Sequence, residues 1–210
     1  MLRVAIRTIR REYILDVAER VMAEQGWAGT TFNAICQSAD ISNGMLTYHF
    51  KDKDDLLFAL FERSMAKRRA RSQEIMGDVS RPLGQRITAL IQHHVRQRDA
   101  EMREFCLLAH HFLSLGTERP EMGTRLDAIL RLSVETMQTA LRQEADRGGL
   151  RCDPGHAAVM IVSVLKGLAL MPDTPGLAPS IDAVTAMLLT YLTVDDGAAT
   201  AGVKSAGRLA

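Results

Sequence analysis

Apolar residues recur along this chain at steps of three and four, and alternating runs of the kind that make strands are hard to find. From Ile9 to Gln25 the positions Tyr13, Ile14, Val17, Ala18, Val21 and Met22 form one stripe, the face of a helix that Gly26 would close as a left-handed cap. Thr31 can cap a second, short helix running to about Ser38, with Ile35 and Ala39 turned inward. Ser42 does the same for a third, Asn43 to about His49. Asp52 sits where the cap of a fourth belongs, and Asp55 three residues on comes close to a capping box. That helix runs to about Met76, where Gly77 ends it. Further helical patterns cover 83–97, 101–115 and 122–146, punctuated by Gly116, Pro120 and the pair Gly148-Gly149. Asp153 and Pro154 open another over 154–171, a loop follows to Pro179, and Ser180 caps a last helix to about Val194.

The pattern predicts an all-α protein. An N-terminal three-helix head of helix-turn-helix type covers 1–52, a connecting helix 53–77, and a larger helical body 78–195. Asp78 to Pro82 reads as a linker between them, and the Gly/Ala-rich tail 196–210 as disordered. Composition agrees: 47% of the 210 residues are hydrophobic, enough for a sizeable core. The most apolar run, 157–171, carries Ser163 and Lys166 and falls short of the roughly 20 residues a membrane span needs. Arginines at 3, 7, 10 and 11 interrupt any secretory signal, and the 3 cysteines, Cys36, Cys106 and Cys152, lie far apart, as in a reducing compartment. The expectation is a cytoplasmic protein with no membrane partner.

Net charge, +1, points to no polyanion, but charge is placed locally. Arg3, Arg7, Arg10 and Arg11 meet no acid before Glu12, and Arg63, Lys67, Arg68, Arg69 and Arg71 form a second cluster. Each reads as a solvated face, and the first alternatively as a disordered arm reaching a minor groove.

The chemistry lies in SNGMLTYHF, residues 42–50. Helix, tight turn, helix lets one helix enter a DNA major groove while its neighbour crosses the backbone. In ADIS (39–42) Asp40 tolerates left-handed geometry better than most residues, and Ile41 turns to the core. Leu46 and Phe50, four apart, anchor the third helix and leave Asn43, Gly44, Met45 and Thr47 pointing outward. Gly44 permits close approach, Met45 and Thr47 can meet base edges, and Tyr48 and His49 suit phosphate oxygens. Lys53 adds an ammonium to exposed backbone N–H groups at a helix start, and Thr31 offers a hydroxyl in the same way. The interface so read comprises Thr31, Ser42, Asn43, Gly44, Met45, Thr47, Tyr48, His49 and Lys53.

TTFNAICQSADISNGMLTYHFKDKDDLL, residues 30–57, closely resembles the helix-turn-helix signature of TetR-type transcriptional regulators, and the layout of head and body is also similar to that family. The resemblance implies DNA-contacting roles for Thr31, Asn43, Gly44, Met45, Thr47, Tyr48, His49 and Lys53. Asp40 stands where the family usually has Gly, Thr47 where it has Tyr, and Cys36 where it has Ala.

In the body, helix 154–171 is apolar nearly all round, which asks for cover on every side. Pairing with a second subunit through Met160, Ile161, Val164, Leu168, Val184, Met187, Leu188 and Tyr191 as a four-helix bundle supplies it, the arrangement the resemblance also implies. His94, Phe105, His110, Phe112 and Met137 read either as lining for a small-molecule effector or as ordinary core. No Gly-x-Ser-x-Gly, His-Glu-x-x-His, phosphate loop or dinucleotide fingerprint occurs, so no enzyme, cofactor, catalytic residue or metal site is expected. The functional expectation is a ligand-responsive repressor that grips a palindromic operator as a homodimer and is released by its effector. The alternative is a helical dimeric interaction protein whose head no longer binds DNA.

Overall fold

The computed structural model describes residues 2–96, 100–170 and 181–194, with side chains for 5–94, 106–168 and 182–194. Among these residues the elements are helices: α1 (Leu2–Gly29), α2 (Phe32–Ala39), α3 (Asn43–His49), α4 (Lys53–Gly77), α5 (Leu83–Arg96), α6 (Ala100–Glu118), α7 (Pro120–Asp146), α8 (Pro154–Leu170) and α9 (Ile181–Leu192). Ser180, the predicted cap of α9, Phe105 and the tail from 195 onward lie outside the described side chains.

Two compact units emerge, and neither is a single stretch of chain. The first takes Met1–Arg68 and Gln97–Ile129, the second Arg69–Arg96 and Leu130–Ala210. α6 and the start of α7 therefore join the head, and the 78–82 segment read as a linker is a short turn inside the second unit.

In the first unit α1 packs on α2 and α6, and α2 on α3. The stripe of α1 buries Ile14, Val17, Ala18 and Val21 as its spacing predicts, while Tyr13 stays half exposed and donates its hydroxyl to the Ala39 carbonyl at 3.3 Å. The helix begins well before Ile9, and Gly26, at positive φ (69°) as expected, breaks it and separates a last short helical stretch ending at Gly29. The whole run Leu56, Leu57, Phe58, Ala59, Leu60 and Phe61 of α4 is buried, so this helix shows no polar face there. Phe58, Phe61 and Phe112 meet as a ring cluster with centroids 4.7 to 6.0 Å apart. α6 does not stop at Gly116: an added Cβ there would stand 3.2 Å from Gly123 Cα, and one at Gly123 3.0 Å from the Gly116 carbonyl oxygen. The glycine serves backbone-to-backbone packing of α6 on α7, not termination.

In the second unit α5 packs on α8 and α9 around Ile87, Leu90, Ile91, Met137, Leu141, Ala157, Ala158, Ile161, Leu188 and Leu192. Arg86 is buried among them; its guanidinium meets Glu144 at 2.7 Å and donates to the Met76 carbonyl at 2.6 Å, compensating the cost of desolvating the charge. Backbone bonds from Arg151 to Leu192 (2.9 Å) and from Val194 to Gly149 (3.3 Å) tie the end of α9 to the turn after α7.

Candidate nucleic-acid interface

The two short helices are held by the chemistry their sequence carries. Thr31 Oγ1 accepts from Ala34 N (3.2 Å) and Ser42 Oγ from Met45 N (3.2 Å), each relieving an orphan donor of a first turn. Between the helices Asp40 takes the left-handed conformation (φ 52°, ψ 49°) and its N–H reaches back to the Cys36 carbonyl. A side chain that tolerates this region stands where the turn demands it. Leu46 and Phe50 are fully buried and fix the rotation of α3, with Ile41 half buried beside them.

That rotation leaves Asn43, Gly44, Thr47 and Tyr48 exposed, Met45 and His49 partly so. At Gly44 an added Cβ would have nothing within 4 Å except Ser42 Oγ at 3.9 Å, so nothing inside the protein requires glycine there. The Thr47 hydroxyl donates to the Asn43 carbonyl (3.0 Å), which leaves its lone pairs as acceptors for a base amino group. Tyr48 is 65% exposed, its ring edge-to-face with His49 at 5.1 Å. Burial, and then the charges of Arg7, Arg11 and Arg10, hold the His49 imidazole below the usual histidine range, and its Nδ1 is enclosed without a hydrogen-bond partner.

Lys53 opens α4 with its ammonium 5.7 Å from the Trp27 ring centroid. Asp52 caps the helix by accepting from Asp55 N at 2.8 Å, while Asp55 accepts from Lys51 N at 3.2 Å. Three acids around this lysine would repel a phosphate, yet each is engaged. Arg119 meets Asp52 (3.3 Å) and Asp54 (3.2 Å), His111 meets Asp54 (3.1 Å), and Arg125 meets Asp55 (2.8 Å) and Glu62 (3.1 Å). His111 also stands edge-on to Trp27 at 4.9 Å. Sequence reasoning missed Trp27, His111, Arg119 and Arg125, whose partners lie up to 70 residues away with no local signal.

The second basic cluster finds acid partners on α1. Arg63 pairs with Asp16 and with Glu19 (3.6 Å), and Lys67 with Glu19 (3.1 Å), all from α1. They tie α4 to α1 and are not a free face.

The residues read as effector lining are divided between the two units. His110 is exposed and Phe112 fully buried in the first unit; in the second, Met137 is core and His94 Nδ1 lies 3.0 Å from the Leu90 carbonyl oxygen. A cavity of about 330 Å³ in the second unit is lined by Gln73, Met76, Gly77, Leu132, Glu135, Thr136, Thr139, Ala140 and Gln143. Of the residues read as dimer-forming, Ile161, Leu168 and Leu188 are buried in their own unit, because α5 covers that side of α8 and α9. Met160, Val164 and Val184 are half buried, and Met187 and Tyr191 exposed.

Known proteins resemble the chain most clearly where this geometry lies. Residues 14–60 match the family model described as bacterial regulatory proteins, tetR family. The HTH-type transcriptional regulator AcrR of Shigella flexneri is 41% identical over 54 residues, 26% of this chain and 25% of that protein. The alignment thus spans about a quarter of that regulator's length. Solved structures are similar over nearly the whole chain. A TetR-family regulator from Pectobacterium atrosepticum superposes with a TM-score of 0.67 at 22% identity, covering 89% of this chain and 91% of that one. SmeT, the repressor of the Stenotrophomonas maltophilia multidrug efflux pump SmeDEF, superposes at 0.61 with 27% identity over 89% and 91%, and is also known as a complex with triclosan.

Proposed function

We propose that the chain, whose residues 14–60 match the family model of tetR-family bacterial regulatory proteins, is a ligand-responsive transcriptional repressor. It binds a palindromic DNA operator as a homodimer and is released by a small-molecule effector. The observation that carries the reading is α3: anchored by Leu46 and Phe50, it shows water a row of short polar side chains and a glycine with empty space beside it. A core helix has no use for that face; a helix that enters a major groove does. Thr31, Ser42, Tyr48, His49 and Lys53 then set the register on phosphates, while Asn43, Met45 and Thr47 meet base edges. Asp40 takes the left-handed turn that glycine would, which favours a working head over a degenerate one.

The description of SmeT as a repressor and its triclosan complex support the repressor and effector parts. The cavity beside Thr136 and Thr139 is the candidate space for an effector, at the small end of the roughly 300–1,000 Å³ usual for ligand pockets.

The test is selection of duplexes by the full chain from a random pool. Enrichment of inverted repeats with half-site centres about 10 base pairs, one helical turn, or a multiple of that apart is expected. A pool that stays random after several rounds refutes the reading.

A further inference from the structure

The first turns of α1 hold basic residues without acid partners. Ala5 through Arg10 are all exposed, and among the described residues Arg7, Arg10 and Arg11 have no carboxylate within salt-bridge distance. The later acids of the same helix, Glu12, Asp16 and Glu19, are turned to Arg63 and Lys67 instead. The three arginines gather at the C-terminal end of α3. The Arg7 guanidinium lies 5.5 Å from the Tyr48 ring centroid, Arg11 lies 4.9 Å from that of Phe50, and the charges of all three reach His49. Stacking on rings fixes two of these charges without neutralising them.

We propose that Arg7 and Arg10, set beside Tyr48 and His49, form a second phosphate-binding patch that clamps the DNA backbone flanking the groove entered by α3. This rests on the DNA-binding reading above and extends the interface to an element outside the helix-turn-helix. It also replaces the disordered minor-groove arm with a helical surface at backbone height. Arg11, half buried over Phe50, holds the patch against the recognition helix. Unpaired guanidiniums held on a rigid helix suit phosphate oxygens, which they can meet with two parallel N–H bonds.

Each phosphate met by a guanidinium releases counterions, so it adds about 0.9 to the slope of log affinity against log salt, worth roughly eight-fold in affinity at about 0.1 M salt. The probe is a mixed-sequence duplex of about 30 base pairs, titrated with the full chain by fluorescence anisotropy between about 50 and 200 mM salt. The variants are Arg7→Ala/Arg10→Ala and, as a control of equal charge change, Arg69→Ala/Arg71→Ala. The expected result is a shallower slope for the first pair, by about 0.9 for each phosphate that is no longer neutralised, with the control pair at the wild-type slope. Arg7→Lys/Arg10→Lys should recover most of it. Equal slopes for the wild type and Arg7→Ala/Arg10→Ala overturn the proposal, as does an equal reduction in the control pair, which would make the effect one of net charge. A wild-type chain that binds no duplex at any salt sinks the regulatory reading itself. Both positions are exposed, and an unchanged thermal midpoint shows that the variants are folded.

Discussion

A glycine inside a seven-residue helix is a cost that no neighbouring atom of the protein requires. Gly44 follows Asn43 at the start of α3, where alanine would favour the helix by up to about 1 kcal/mol and would meet no atom closer than 3.9 Å. Gly44→Ala is therefore expected to hold or raise the thermal midpoint while weakening duplex binding at least ten-fold, because the methyl group occupies the space a groove wall must enter. Differential scanning fluorimetry and anisotropy on the same sample check both halves. A stabilised variant with undiminished affinity would place the DNA on another face. Thr47, where the resembling family has Tyr, bonds back to its own helix at Asn43 and so presents a compact group with a shorter reach.

At the scale of elements, local signals were legible and distant ones were not. Thr31, Asp40, Ser42 and Asp52 act within three or four residues, so the bounds of α2, α3 and the start of α4 follow from sequence. Gly116 misled because its reason is another helix, and Ile161, Leu168 and Leu188 misled because a helix apolar all round does not say which side α5 will cover. The same blindness hid the link between α6, α7 and the first turn of α4. Arg119 pairs with Asp52 and Asp54 on either side of Lys53, from as far as 67 residues away in sequence, and so offsets the acids around the proposed phosphate site. These pairs are partly exposed and contribute below about 1 kcal/mol each to folding. Arg119→Ala should accordingly shift the thermal midpoint by no more than about 4 °C while weakening duplex binding several-fold. Asp52→Asn in the same background, which keeps a capping oxygen, should restore part of the affinity. Restoration absent at all salts would mean that Arg119 acts through structure and not through charge.

At the scale of the whole molecule, the described residues of α8 and α9 leave large apolar side chains uncovered. On α8 Val159 is exposed, as are Met187 and Tyr191 on α9 and Val194 just beyond it, whereas Met160, Val164 and Val184 are half buried and pack against the core of their own unit. Val159 is 51%, Met187 64% and Tyr191 70% exposed. The four-residue step from Met187 to Tyr191 puts both on one face of α9, and large exposed apolar side chains grouped in this way suit an interface. In the proposed homodimer a two-fold pair of such helices would close into a four-helix bundle and give one duplex two recognition helices. Met187→Glu/Tyr191→Glu places four carboxylates in that interface across the pair. It should halve the mass seen by sedimentation at micromolar concentration without unfolding the chain, since both positions are exposed in the protomer. Operator affinity should fall with it, because each half-site then binds alone and the gain from linking them disappears, commonly a factor of about 10² or more. A variant that still sediments as a dimer puts the interface elsewhere; a monomer that keeps full operator affinity breaks the tie between the pairing of the bodies and the grip of the heads.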